Sequence, residues 1–245
     1  MRNPGYIKSF ILLLVLTLIT TGCGSASSND PAEVLKRFTD ALNQGKVKEC
    51  ITLFAVNSRI ESKTSGLKIT GIDEIETFLE NYRTWNHKLV VTGPVTVKGS
   101  TAITTINEYD DQLAIMGLEK LRSHCECTVY GGQINQLILE IEPQDKDLYM
   151  KQQAGVIGIV PNETQGRCFV AQVKTGSPAE KAGLKAGDLI TVVNGAAVNK
   201  MRPGEVGIRI RGPVGSPVTL SVLRSGWDQP QQFKITRADR NSLPK

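Results

Sequence analysis

His124-Cys125-Glu126-Cys127 is a run of four consecutive side chains that can bind a metal or transfer a proton. Zinc accepts these ligand types, but a closed site draws on a second, suitably spaced pair, and none accompanies this run. The other histidine, His87, is isolated from it in sequence. No metal is expected. On a strand, alternation places His124, Glu126 and Tyr130 on one face and Cys125, Cys127 and Val129 on the other. The apolar parity of the second set marks the inward face, so the polar trio falls on an outer or dimer-forming face. Tyr82, Trp85 and Glu108 are the other residues a cavity would use, and packing or surface charge accounts for them. There is no G-x-S-x-G elbow and no H-E-x-x-H, and no second large domain to hold a Ser-Lys or Ser-His-Asp set. The sequence therefore nominates no catalytic residue and no cofactor.

Beyond Cys23 the cysteines are Cys50, Cys125, Cys127 and Cys168. They allow three full disulfide pairings, among which spacing does not choose. Cys125 and Cys127 share a strand face with side chains running parallel, so they do not bridge each other. Cys50 lies on the apolar face of a helix with Val47, Ile51 and Phe54, where a buried thiol is the simplest reading. A bridge from Cys50 to the sheet stays geometrically open.

The N-terminus carries Arg2 and Lys8, an apolar run from Phe10 to Ile19, and the string LITTGC ending in Cys23. The run is too short to cross a bilayer comfortably. Together these features resemble a bacterial lipoprotein signal peptide. The resemblance implies removal of residues 1–22, lipidation of Cys23, and a small, polar tether over residues 23–30 that holds the protein at a membrane of the cell envelope. An ordinary secretory signal and an uncleaved anchor are the alternatives, and all three export the protein. With 29 Lys and Arg against 24 Asp and Glu the chain is +5; without Arg2 and Lys8 it is 27 against 24, or +3. That balance, with no basic stripe, excludes an electrostatic case for nucleic acid.

The remaining length suits two small domains. In the first, residues 31–142, Val34, Leu35, Phe38, Ala41 and Leu42 form a helical stripe capped by Asp30. A second helix carries Cys50. Short strands follow at Arg59 to Ser62 and Leu67 to Thr70, then a third helix with Ile72, Ile75, Phe78, Leu79 and Tyr82 on one side. Strands are expected at Lys88 to Val97, Thr101 to Tyr109, Ser123 to Tyr130 and Gln133 to Ile141, the last two joined through Gly131-Gly132. This order of elements and the segment GIDEIETFL (Gly71 to Leu79) resemble the SnoaL-like, or nuclear-transport-factor-2-like, cone fold. The resemblance implies an α+β domain, with helices packed on a curved antiparallel sheet and a cavity at the wide end. Relatives use that fold in isomerases, cyclases and dehydratases, and for dimerisation and ligand holding.

Residues 143–153 are polar and read as a linker. The run GSPAEKAGLKAGDLITVVNG, Gly176 to Gly195, then carries its own logic. Ser177 is an N-cap, Pro178 suits the first helical position and Glu180 completes a capping box. The helix spans Pro178 to Ala182, Gly183 ends it, and Leu189 to Val193 forms a strand leading to a turn at Asn194-Gly195. This run resembles the heart of a bacterial PDZ domain. With the flanks AGVIGIV and IRGPVGSPVTLSVLR, the likeness extends over residues 154–237, leaving 238–245 as a tail. Those flanks resemble the PDZ parts of carboxy-terminal processing and HtrA-type proteases.

The resemblance implies a mainly-β domain with two short helices and a groove for protein C-termini or extended peptides. Val156, Ile157, Gly158 and Ile159 would form the carboxylate-binding loop. A peptide would add as a strand beside Ile159 and Val160. The far wall would be a helix from Pro203 to Arg211, with Val206 and Ile210, four apart on one face, lining the groove. Gly204 and Gly207 weaken such a helix. A recognition module without a peptidase points to an exported, lipid-anchored, non-catalytic adaptor. Its partners would be envelope proteases or their substrates, and its cone domain would serve as a ligand pocket or homodimer interface. The alternative is an isomerase- or hydratase-like enzyme that uses the cone cavity.

Overall fold

The structure is a computed structural model that describes residues 29–243. The signal segment, Cys23 and most of the tether lie outside the described residues. The first domain opens with α1 (Pro31–Asn43), α2 (Val47–Thr52), β1 (Phe54–Ser62), β2 (Leu67–Thr70) and α3 (Ile72–Thr84). It continues through β3 (Lys88–Val91), β4 (Thr96–Lys98), β5 (Thr101–Tyr109), α4 (Asp111–Ile115), β6 (Leu121–Tyr130) and β7 (Gln133–Ile141). One sheet runs β2-β1-β7-β6-β5-β3, with β4 also on β5. Its pairings are antiparallel except that β1 runs parallel to β7.

Asp30 caps α1 by accepting the Ala32 N–H at 3.0 Å. The stripe Val34, Leu35, Phe38, Ala41 and Leu42 is then buried against Ala102, Ile106, Cys125 and Cys127 of the sheet. The inward parity of β6 is as alternation requires: Cys125, Cys127 and Val129 are buried, whereas Tyr130 is 62% exposed. His124 and Glu126 pair with each other at 3.1 Å on the outer face. The ligand types of the HCEC run thus point to opposite sides of the sheet. All four described cysteines are buried free thiols.

The expected linker is a helix, α5 (Pro143–Ala154). None of its residues is buried, which is why no apolar periodicity announced it. Asp145 holds it in place, accepting from the Arg122 backbone N–H at 2.8 Å and from the Arg122 guanidinium at 2.8 and 2.9 Å. Tyr149 packs beside Leu113, Leu118, Leu121 and Ile141 in a small apolar cluster. The expected strand Lys88 to Val97 is broken into β3 and β4, and Phe54, expected on the second helix, instead opens β1.

The second domain contains β8 (Gly155–Val156), β9 (Ile159–Thr164), β10 (Arg167–Val173), α6 (Pro178–Lys181), β11 (Leu189–Val193) and β12 (Ala196–Ala197). Then come α7 (Glu205–Ile210), β13 (Pro217–Leu223), β14 (Gln231–Thr236) and β15 (Ala238–Asp239). Its main sheet runs β14-β13-β11-β10-β9 with β12 on β11, and β15 pairs separately with β8. Ile157, Cys168, Val170, Ile190, Val193, Leu220 and Ile235 are among its core.

Candidate functional site, a groove between an edge strand and a short helix

Ile157 and Gly158 form the turn between β8 and β9, and their carbonyls face inward. The Ile157 carbonyl accepts from Ala179 N–H at 2.9 Å, and the Gly158 carbonyl from Lys174 N–H at 2.8 Å. In a trans peptide the N–H points opposite the carbonyl it follows. The N–H groups of Gly158 and Ile159 therefore point away from α6, toward the cleft. Among the described residues, the Gly158 N–H donates no hydrogen bond, and the Ile159 N–H, in a non-hydrogen-bonded pair with Val173, faces the open edge of β9. Successive unpaired amides around a positive-φ residue make a nest for an anion.

Gly158 has φ +85°, and a Cβ there would lie 2.3 Å from the Ser177 Cβ. Both the backbone angle and the close approach demand glycine. Ser177 is fixed in turn: it is fully buried and accepts the Glu180 N–H at 3.2 Å. Glu180 reaches back to the Gly176 N–H at 2.6 Å, one residue before the cap.

β9 is the outer strand of its sheet. Ile159 faces Val173 and Pro161 faces Val170. Val170 spends its N–H and carbonyl on Asp188 and Gly187, both at 2.8 Å, so Pro161 turns its own polar edge outward. Having no N–H, Pro161 interrupts the row of donors that an added strand would use. Only the Ile159 end of the edge offers both a donor and an acceptor.

The opposite wall is α7. Arg237 closes its C-terminal end, donating to the carbonyls of Ile210 at 2.7 Å, Arg209 at 3.1 Å and Pro217 at 2.8 Å, and to Ser216 Oγ at 2.9 Å. These bonds satisfy carbonyls that a helix end leaves open. The cleft between the walls has a volume of about 340 Å³. Val156, Ile157, Gly158, Ile159 and Ile210 line it, as does Val160. Val206 does not: it is 1% exposed and belongs to the core. Val206 and Ile210 lie one helical turn apart, but Val206 turns wholly into the core, while Ile210 sits where the core meets the groove and lines it with Gly207 and Arg211. A Cβ on Gly207 would meet nothing within 4 Å. The glycine that weakens the helix thus leaves the groove open.

Spacing did not disclose the groove's charges. Lys174, Arg211 and Arg240 line it, with no Asp or Glu among the lining residues. Burial lowers the Arg211 pKa, and the nearby Arg240 lowers it further. Two adjacent cations at the end of an anion nest favour a negatively charged occupant. The tail contributes as well: β15 pairs with β8, and the turn at Arg240–Ser242 brings Leu243 to the cleft wall.

Residues 169–224 match the family model of the PDZ domain. The second domain is a PDZ domain. It is homologous to those of curated proteases: a carboxy-terminal-processing protease of Bartonella bacilliformis is 30% identical over 155 residues, covering 56% of this chain and 36% of that protein. The periplasmic serine endoprotease DegP of Escherichia coli is 36% identical over 83 residues, 33% of this chain and 17% of DegP. The chain thus spans little more than a third of the first relative's length and less of the second. The first domain is similar to a SnoaL-like polyketide-cyclase candidate from Shewanella putrefaciens, with 18% identity, TM-score 0.41, and coverage of 49% of this chain and 96% of that one. It is also similar to an NTF2-like protein of unknown function from Cytophaga hutchinsonii, with 13% identity, TM-score 0.39, and coverage of 47% and 92%.

Proposed function

We propose that the protein is an exported, lipid-anchored adaptor that captures the C-termini of other polypeptides in its PDZ groove. The observation that carries the reading is the Gly158 turn, whose unpaired amides open beside Arg211 and Arg240 at the end of a free strand edge. A terminal carboxylate would sit in the nest, the last apolar side chain against Ile157, Ile159 and Ile210, and the preceding residues beside Ile159 and Val160. Relatives that carry similar PDZ domains are proteases, which supports envelope proteases or their substrates as partners. The first domain supplies a second contact, as a ligand pocket or a dimer interface.

The test is an array of peptides presented with free or amidated C-termini to the purified protein. Free termini are expected to bind at least tenfold more tightly, and Arg211→Glu to abolish the difference. Equal binding of both forms ends the reading. Anchoring through Cys23 is tested separately by metabolic fatty-acid labelling, which Cys23→Ser is expected to eliminate.

A further inference from the structure

His87 lies between α3 and β3, directly before the strand, and is 94% buried. Its Nδ1 lies 3.1 Å from Asp110 Oδ2, so in the neutral ring Nδ1 carries the proton and Nε2 an open lone pair. Nε2 has no hydrogen-bond partner. The nearest acid to it is Glu108, whose Oε2 stands 3.8 Å away, beyond hydrogen-bond reach. Glu108 Oε1 accepts a hydrogen bond from Ser123 Oγ. The Tyr82 ring lies over the imidazole with centres 3.8 Å apart.

A buried polar atom left unpaired costs about 1–3 kcal/mol, so native structures seldom keep one without a use. Here the atom borders a cavity of about 290 Å³ that His87, Glu108, Asp110, Ser123 and Tyr82 line together. The rest of the wall is mostly apolar, with Phe78, Leu121, Leu139 and Ile141 prominent. The mouth is at Leu67, which is 40% exposed. Burial raises the Glu108 pKa, with His87 and Ser123 opposing the shift, so this carboxyl keeps its proton to higher pH than a free glutamate.

These features select a ligand. The volume is roughly twice the ~150 Å³ of an apolar cavity that holds benzene, which suits two fused rings. The aromatic and aliphatic walls call for an apolar body. The open lone pair of Nε2 calls for one O–H donor. The carboxyl groups of Glu108 and Asp110 exclude an anion.

We propose that this cavity is a binding site for a neutral, two-ring-sized aromatic or alicyclic alcohol, oriented by a hydrogen bond from its hydroxyl to His87 Nε2. This takes up the ligand-pocket role named above for the first domain and does not rest on the groove. Asp110 is a positioning residue, fixing the tautomer that leaves Nε2 open.

The probes are 2-naphthol, naphthalene and 2-naphthoate, titrated by fluorescence into the purified full-length protein. 2-Naphthol is expected to saturate one site and bind at least tenfold more tightly than the other two. His87→Phe should bring it down to the naphthalene level, and Glu108→Gln should admit 2-naphthoate. Leu67→Trp, at the exposed rim, tests occupancy without touching the buried cluster and should weaken 2-naphthol binding at least fivefold. Equal affinity for 2-naphthol and naphthalene, no saturable binding below 1 mM, or full binding by a folded His87→Phe protein each overturns the proposal. A C-terminal peptide added at saturation should not displace 2-naphthol, so failure in the groove and failure here are told apart.

Discussion

The guanidinium of Arg202 lies 4.0 Å from the centre of the Trp85 ring and joins the two domains. The same group donates to the Thr84 carbonyl at 3.2 Å and to Asp111 at 2.5 Å, while its Nε reaches Glu205, the first residue of α7, at 3.4 Å. Trp85, which the sequence assigns to packing rather than to a cavity, is 4% exposed and packs at this junction. Arg202→Ala should leave each domain folded but uncouple them. A stacked, partly desolvated arginine contributes about 1–2 kcal/mol, so calorimetry should resolve two transitions where the parent shows closer ones.

Two glycines of the groove should respond in opposite ways. Gly207→Leu places a side chain in open space on a helix, so stability should rise by up to about 1 kcal/mol, while peptide affinity falls at least tenfold because the cleft is filled. Gly158→Ala meets the Ser177 Cβ at 2.3 Å and a φ of +85°, and should cost about 2 kcal/mol or more. Thermal melts and a peptide titration on both variants decide the matter.

Asp188 is 1% exposed and takes Arg224 in a two-pronged pair at 2.6 and 2.8 Å, with the Lys185 N–H at 2.8 Å. Burial pushes its pKa up, but the bonds from Arg224 and Lys185 outweigh it, and the net shift is downward. A depressed carboxylate contributes stability that is present above its ordinary value of 3.8 and is lost as pH falls below it. Asp188→Asn should lower stability at neutral pH by about 3 kcal/mol and flatten the loss below pH 4. Urea midpoints measured across that range check both effects.

The four described thiols should be inert in the folded protein. Burial pushes Cys50 and Cys127 up to about 12 and Cys168 to about 11, and Cys125 also rises. The reactive thiolate is therefore negligible at pH 8. Iodoacetamide followed by mass spectrometry should find all four unmodified in buffer and all four modified in denaturant. Modification without unfolding would contradict their burial.

The sequence disclosed the elements that carry strong periodicity or explicit caps. The stripe of α1, the parity of β6 and the Ser177 cap all appear where spacing placed them. It failed where a helix is held by polar bonds. α5 depends on the Arg122 to Asp145 pair, and α4 is only a single turn capped by Asp110. Val206 shows another limit: a four-residue spacing sets two residues one helical turn apart but does not fix which of them reaches the groove. The cationic residues of the groove come from just after β10 and α7 and from the tail, and the polar end of the cavity from α3, β5, the segments that follow them, and β6. Those residues meet only through tertiary folding.

Pro161 bears on how much of a partner this protein can inspect. Its missing N–H removes a rung one residue beyond Val160, so main-chain pairing is confined to the few residues that enter the nest first. Under the proposed capture of C-termini, discrimination would fall on an ending rather than on a whole stretch, and short endings recur across unrelated chains. Such a groove would sort clients by how they finish more than by what precedes.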